Sequence, residues 1–256
     1  MASPVVALAE AVAVPGDLGG VLLSALLIGF CMGVAFLVAK AGGARETVAS
    51  CTEAGDKAFR AGVFRAEVAR KIVHIGVSNW FFIYYFCFTS SLWAIVGLGA
   101  FALINFFLTA SGAFSASFGK QAQKRSWGVV YYPLSLILVL VLYELGLGSK
   151  LDVGCAILGM GYGDGLAALV GLKWGKKKLF EGFAGSKKTV LGSLTMWAVV
   201  ALIVFVLKSF SCGCSLALAF FSLLIGLVAA IFEAITPFGL DNISVPVVIF
   251  LMAGLV

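Results

Sequence analysis

An aspartate flanked by glycines, in Gly161-Tyr-Gly-Asp-Gly165, is the sharpest chemical feature of the sequence. It falls inside an apolar segment, where a charged side chain is costly and is usually retained for function. Three glycines weaken a helix, so a break here would expose free amides beside the Asp164 carboxylate. Such amides bind phosphate oxygens, and the carboxylate suits Mg²⁺. The alternative is a glycine-rich packing seam between membrane helices.

A second pattern, Lys188-Thr-x-x-Gly-Ser193, leads directly into another apolar segment. A lysine, a hydroxyl and a glycine at the start of a helix can hold phosphate groups, as they do in a P-loop. No Walker pattern is present. The other lysines upstream of Lys188 are equally well explained as signals of membrane topology.

A third pattern places His74 three residues after Lys71, next to Arg70. This spacing puts the lysine and the histidine on one face of a helix. Beside a nucleotide, His74 could bond a phosphate or act as a base. A packing role at the membrane interface is the alternative for a lone histidine.

Three more polar residues, Glu233, Asp241 and Asn242, lie beside the last two apolar segments. Together with Asp164 they could complete a metal site built from oxygen ligands. Solvation of the membrane edge is the alternative for each carboxylate.

The elements that must position these residues are membrane helices. Hydrophobic residues make up 62% of the 256 residues, and charged residues make up 12%. A soluble domain has roughly 45–50% apolar and about 25% charged residues, so lipid must solvate much of this chain. We predict an all-α, polytopic integral membrane protein with about seven or eight transmembrane helices. Residues 1–18 are predicted to form an N-terminal tail, and residues 19–256 a single transmembrane domain.

Eight apolar segments are long enough, or nearly long enough, to span a bilayer. The second and the last are short, and whether the last crosses fully is left open. The polar stretch 40–66 is predicted to form either a helix on the membrane surface or a solvated linker helix. The segments cover residues 19–39, 72–88, 92–112, 127–147, 151–171, 189–207, 213–235 and 244–256.

The basic residues indicate the orientation of these segments. Loops 40–71, 113–126 and 172–188 hold seven, three and six of them, which is 16 of the 18 in the chain. Positively charged loops stay on the cytosolic side, so these three loops and the polar clusters beside them should face the cytosol, or the stroma in a plastid. Because the basic residues lie in short loops between apolar segments, the net charge of +6 does not predict binding of nucleic acid.

Five sequence blocks follow one another between residues 67 and 248. Together they resemble the CTP-dependent polyprenol kinase family, whose members include dolichol kinase, phytol kinase and the yeast-type CTP-dependent diacylglycerol kinase. Thr189 stands where serine is more usual in that family, which keeps the hydroxyl. The blocks are Arg70-Lys71-x-x-His74; Lys124-Arg125-Ser126-x-Gly128 with Tyr132-Pro133; Gly163-Asp164-Gly165-x-Ala167-Ala168-x-Val170-Gly171; Lys188-Thr189-x-x-Gly192-Ser193; and Glu233 followed by Asp241-Asn242-x-x-Val245-Pro246.

The resemblance implies transfer of the γ-phosphoryl group of CTP to the hydroxyl of a membrane lipid, with Mg²⁺ as cofactor. It makes Asp164, His74 and Asp241 catalytic, and Asp164, Glu233 and Asp241 metal ligands. The acceptor (a polyprenol, a phytol-like isoprenoid alcohol or diacylglycerol) is left open, as is the choice between base and ligand among the carboxylates. The nucleotide-binding residues would be Arg70, Lys71, Gly163, Gly165, Lys188, Thr189, Gly192, Ser193 and Asn242.

Two alternatives stay open. Phosphatidate cytidylyltransferases also use CTP at a membrane, but their His-Gly-Gly and Asp-Arg signatures are missing here. A small transporter with a helix broken around Asp164 is an alternative of a different class. The sequence shows no internal repeat, and its polar groups lie toward one face, which favours an enzyme.

Overall fold

The computed structural model describes residues 16–40, 53–111, 127–179, 188–237 and 239–256. Within these ranges the chain is helical, apart from turns and one antiparallel bridge between Lys178 and Thr189. The helices are α1 (Asp17–Lys40), α2 (Glu53–Ser78), α3 (Trp80–Cys87), α4 (Ser91–Ala110), α5 (Gly128–Glu144), α6 (Lys150–Trp174), α7 (Val190–Cys212), α8 (Leu216–Ile235) and α9 (Asp241–Ala253).

The all-α, polytopic fold predicted from composition is confirmed. In the part of the chain that the structure describes, five helices are long and apolar enough to cross a membrane, namely α1, α4, α6, α7 and α8, and the shorter α5 and α9 are apolar as well. Exposed leucines and phenylalanines cover the outer faces of the bundle, such as Leu26 and Phe30 on α1 and Leu103 and Phe107 on α4. Surfaces of this composition are solvated by lipid acyl chains.

The second predicted segment, 72–88, is not one helix. It consists of the last turns of α2 and the short helix α3, which are separated at Asn79. The Asn79 amide donates to the carbonyl of Ile75 at 2.9 Å, and its oxygen accepts from the Tyr162 hydroxyl at 3.0 Å. The side chain therefore competes for the helical hydrogen bonds of α2, and the Asn79 backbone amide donates to the Gly76 carbonyl instead, at 3.2 Å. The regular helix is interrupted there.

Two other predicted boundaries also change. Helix α2 begins at Glu53, so a long helix leads into the second span, and α9 begins at Asp241 rather than at residue 244. The N-terminal tail up to residue 15 and the whole of loop 113–126 lie outside the described residues.

Helix α6 is the central element of the bundle. Two thirds of its most apolar window is buried, against about a tenth for α1, and it packs against α2, α3, α5, α7 and α9. Its glycines make this possible, because a side chain there would collide with the neighbouring helices. A Cβ on Gly163 would lie 2.6 Å from the sulfur of Met196 in α7, and one on Gly159 would lie 3.1 Å from Ile249 in α9.

The bundle has two chemically different ends. At the end where α6 begins, the Lys208 ammonium donates to Asp152 Oδ1 at 2.8 Å, and both side chains are buried. Ser149 and Asp152 also form a capping box for α6. At the other end, which we call the site end, α6 and α8 finish and α7 and α9 begin, and most of the predicted functional residues lie there.

Candidate active site

Three carboxylates from three different helices converge at the site end. Asp164 lies in α6, Glu233 in the last turn of α8 and Asp241 in the first turn of α9. One oxygen of each lies within 4.8 Å of the others. We call these three residues the carboxylate cluster. The sequence predicted this set of metal ligands but could not show that the three side chains meet.

Lys188 connects two members of the carboxylate cluster. Its ammonium lies 2.8 Å from Glu233 Oε1 and 3.0 Å from Asp241 Oδ2, and it also donates to the backbone carbonyl of Glu233. Partial burial lowers the pKa of this lysine, but the Glu233 and Asp241 carboxylates outweigh burial and raise it. Lys188 therefore stays protonated at neutral pH.

A short backbone ladder places Lys188 over the cluster. The Leu179 amide donates to the Lys188 carbonyl, and the Val190 amide donates to the Lys177 carbonyl, both at 3.0 Å. These bonds fasten the end of α6 to the start of α7. Lys177 and Lys178 themselves are exposed, and Lys187 lies outside the described residues.

Lys71, which lies in α2, pairs with the third carboxylate of the cluster, Asp164. The Lys71 ammonium donates to Asp164 Oδ2 and is almost fully buried. His74 Nε2 lies 3.5 Å from the same oxygen. The predicted helix face that carries both residues is therefore present and points at Asp164. The Lys71 ammonium also compensates the charge of Asp164 within the apolar bundle.

The glycines around Asp164 pack against helices instead of breaking one. Helix α6 runs without interruption from Lys150 to Trp174, so the amides of Gly163 and Gly165 are part of a regular helix. Their lack of side chains leaves room for Met196 of α7 and Ile75 of α2. Of the two alternatives for these glycines, the structure shows the packing seam and not the helix break. The nucleotide-binding role of Gly163 and Gly165 stays a prediction. Their packing brings Lys71, His74 and Asp164 together.

Thr189 and Gly192 form the cap of α7. The Thr189 hydroxyl accepts from the Gly192 amide at 3.1 Å, an N-cap interaction. A Cβ on Gly192 would lie 3.0 Å from the carbonyl of Ala167, so this glycine also permits the close crossing of α6 and α7. The Gly192 amide is thus used within the chain. The Ser193 hydroxyl is buried without a partner among the described residues. Phosphate binding by Thr189 and Ser193 stays a prediction.

Asn242 and Arg70 lie at the edge of the cluster. The Asn242 side chain donates to the Gly239 carbonyl at 3.0 Å, and its backbone amide donates to Asp241 Oδ1 at 3.1 Å. Asn242 therefore fixes the carboxylate of Asp241 in this structure. Arg70 pairs with Glu67, one turn earlier in α2, which turns its charge toward that glutamate.

Sequence reasoning assigned no role to two residues of the site. Glu67 lies three residues before Arg70, and this spacing on a helix favours an ion pair. Tyr132 enters the sequence analysis only as part of a resembling block, but its ring packs against that of His74, with 4.1 Å between centroids and a tilt of 37°. No pattern in the sequence indicates that contact, because the two residues lie on different helices.

The carboxylate cluster fits a hard divalent cation. Mg²⁺ and similar ions prefer oxygen ligands. In proteins, Mg²⁺ usually binds one or two carboxylates together with phosphate oxygens. Three carboxylates and two lysines leave one net negative charge at the centre of the site. Such a site can bind a cation and a polyphosphate together, with the ammonium groups moving from carboxylates to phosphates.

Fold and site thus define a polytopic helical membrane protein with an ionic site at one end of the bundle. The chain is 32% identical to phytol kinase of Synechocystis sp. over 185 residues, which cover 71% of this chain and 76% of that protein. The chain belongs to the polyprenol kinase family, of which phytol kinase is a member. No family model matches the chain, and no solved structure matches it.

Proposed function

We propose that this protein is a lipid-alcohol kinase that transfers the γ-phosphoryl group of CTP to the hydroxyl of an isoprenoid alcohol such as phytol. The observation that carries the proposal is the convergence of Asp164, Glu233 and Asp241 with Lys71 and Lys188 inside an apolar bundle. The similarity to phytol kinase supports the acceptor class. The sequence blocks that resemble CTP-dependent kinases support CTP as the donor.

Phosphoryl transfer requires neutralisation of phosphate charge and in-line placement of the two reactants. Asp164, Glu233 and Asp241 would hold Mg²⁺, which when bound offsets the negative charge of the phosphates. Lys188 and Lys71 would neutralise the remaining charge on the transferred group. Both ammonium groups now contact carboxylates, so each would exchange a carboxylate oxygen for a phosphate oxygen on binding.

The bond changes follow from this arrangement. The acceptor oxygen forms a bond to the γ-phosphorus, and the bond from that phosphorus to the β,γ-bridging oxygen breaks. CDP leaves with the electron pair of the broken bond. The proton of the alcohol passes to His74 Nε2 or to the Asp164 carboxylate, which lie 3.5 Å apart.

The membrane restricts where the two substrates enter. The tail of a lipid alcohol stays among acyl chains, and its hydroxyl must reach the carboxylate cluster from within the bundle. A nucleotide must arrive from water at the site end. The basic loops support a cytosolic or stromal location of that end.

The direct test uses purified protein in detergent with labelled nucleotides, Mg²⁺ and a panel of phytol, farnesol, a long polyprenol and diacylglycerol. We expect transfer of label from γ-labelled CTP to an isoprenoid alcohol, and loss of transfer with EDTA. Equal turnover with ATP would remove the donor assignment and leave the kinase. Release of pyrophosphate with a CDP-lipid product would instead identify a cytidylyltransferase.

A further inference from the structure

Tyr132 carries a buried hydroxyl that the mechanism above does not use. The side chain is 4% exposed and lies in α5 among apolar neighbours. Its hydroxyl makes no hydrogen bond with any residue that the structure describes. A buried hydroxyl without a partner is costly, because its hydrogen bonds to water are lost and not replaced. Such groups are uncommon in folded proteins, and a missing ligand is one explanation for them.

The Tyr132 hydroxyl lies deeper in the bundle than the carboxylate cluster. It is 3.3 Å from the position that a Cβ would occupy on Gly161. Gly161 is three residues further from the site end of α6 than Asp164, or about 4.5 Å along the helix axis. The hydroxyl is therefore on the bilayer side of Asp164, whereas Lys188 is on the loop side, at the start of α7.

A second unpartnered atom lies next to this hydroxyl. His74 Nε2 is buried and makes no hydrogen bond within the described part of the chain, although Asp164 Oδ2 is 3.5 Å away. The His74 and Tyr132 rings pack against each other with 4.1 Å between centroids and a tilt of 37°. By contrast, the nearby Ser78 hydroxyl is satisfied by the Ile75 carbonyl at 2.6 Å. The two orphaned atoms are thus a local pair beside Asp164.

We propose that Tyr132 binds the hydroxyl of the acceptor alcohol and, with His74, positions it for attack on the phosphoryl group. The Tyr132 O–H donates to the acceptor oxygen, and the acceptor O–H donates to His74 Nε2. An alcohol satisfies both orphaned atoms because it is a donor and an acceptor at once. The deep location favours the lipid substrate over the nucleotide. This inference rests on the proposed kinase function and names the acceptor-binding residue.

Tyr132→Phe tests the proposal because it removes only the hydroxyl and keeps the ring that packs on His74. Tyr131→Phe is the matched control, since Tyr131 is the neighbouring, half-buried tyrosine of the same helix. Binding of phytol and of phytene, its hydroxyl-free counterpart, is measured by titration calorimetry on the full-length protein in detergent. KM for CTP and for phytol is measured in parallel.

We expect wild type to bind phytol about tenfold more tightly than phytene, the effect of one or two net hydrogen bonds. Tyr132→Phe should lose most of that preference and raise KM for phytol about tenfold, with KM for CTP unchanged. Tyr131→Phe should behave as wild type. An equal rise in both KM values, or an unchanged preference for phytol in Tyr132→Phe, would overturn the assignment.

The wild-type measurement separates this inference from the proposed function. Equal binding of phytol and phytene by wild type would overturn the acceptor site without any variant. Preferential binding of phytol that Tyr132→Phe abolishes, without transfer from any nucleotide, would support the hydroxyl site and contradict the kinase.

Discussion

The Lys188 ammonium lies 2.8 Å from Glu233 Oε1 and 3.0 Å from Asp241 Oδ2, so one cation joins two of the three carboxylates of the site. Lys71 pairs with the third, Asp164. Each carboxylate therefore has an ammonium partner within the chain, and one net negative charge remains in the absence of ligands. A divalent cation must compete with these ammonium groups, and a nucleotide would relieve that competition by giving the lysines phosphate oxygens to bind.

The first prediction concerns this competition. Lys188→Met should raise the affinity of the nucleotide-free protein for Mn²⁺ at least about tenfold, because it removes the repulsion between the Lys188 ammonium and the bound metal ion. Two unit charges about 4 Å apart repel by up to about 4 kcal/mol near a protein surface. Turnover should fall by about 10²-fold or more, since phosphate neutralisation is lost. Mn²⁺ binding is measured by electron paramagnetic resonance.

Lys177→Met is the control, because Lys177 lies in the same loop with an exposed side chain. It should change neither Mn²⁺ affinity nor turnover by more than about twofold, as expected for an exposed charge. Weaker Mn²⁺ binding in Lys188→Met would contradict the competition.

The second prediction concerns the glycine seam. Gly165→Ala places a Cβ 2.7 Å from Ile75 Cδ1, and Ile75 adjoins His74 on α2. We expect loss of about 1–3 kcal/mol of stability from overpacking, and at least a tenfold loss of turnover, because about 1 Å of misplacement can reduce rates strongly. Gly97→Ala, which meets open space in α4, should be neutral or slightly stabilising. Unfolding temperature in detergent and turnover are measured for both variants. Equal unfolding temperatures and equal turnover of Gly165→Ala and Gly97→Ala would argue against a packing role of Gly165.

Hydropathy predicted the helices because a chain in lipid must satisfy its backbone hydrogen bonds within each segment. The alternation of basic and weakly charged loops along the sequence predicted that Asp164, Glu233 and Asp241 would lie toward one face. Both inferences depend on local sequence. Hydropathy does not show the interruption at Asn79, because it depends on the hydrogen bond of one polar side chain to the Ile75 carbonyl within an apolar segment. Tyr162, which lies 83 residues away, also donates to that side chain.

Side-chain partners could not be predicted in the same way. The pairing of Lys71 with Asp164 spans 93 residues, and the ring contact of His74 with Tyr132 joins two helices. The glycines around Asp164 were compatible both with a broken helix and with a packing seam. The choice depended on Ile75 and Met196, whose positions only the fold supplies.

The third prediction concerns topology. Cys212 and Cys214 are exposed free cysteines at the end of α7, on the opposite end of the bundle from Lys177. In intact cells an impermeant maleimide should label this pair from outside. In a protein with these two cysteines and Cys51 replaced by serine, Lys177→Cys should be labelled only after permeabilisation. Labelling of both positions from one side would contradict the proposed orientation.

The last prediction compares two ion pairs on the central helix. Asp164 pairs with Lys71 at the site end, and Asp152 pairs with Lys208 at the other end. Removing one partner of a buried pair leaves an uncompensated charge and is expected to destabilise the protein by about 3–5 kcal/mol, whereas removing both partners is often nearly neutral. Asp164→Asn and Asp152→Asn should therefore both lower the unfolding temperature. Lys71→Met and Lys208→Met, added as the second change, should each restore it.

Turnover should separate the two pairs. Asp152→Asn with Lys208→Met should be as active as wild type, because Asp152 is twelve residues, about 18 Å along α6, from Asp164. Asp164→Asn with Lys71→Met should be stable but slower by at least about 10²–10³-fold, the usual effect of losing a well-placed electrostatic group. Unfolding temperature in detergent and turnover per folded molecule are measured for all variants. The contradicting result is a stable Asp164→Asn, Lys71→Met protein that retains more than about a tenth of wild-type turnover. The pair at the site end would then have only a structural role, like the pair at the other end.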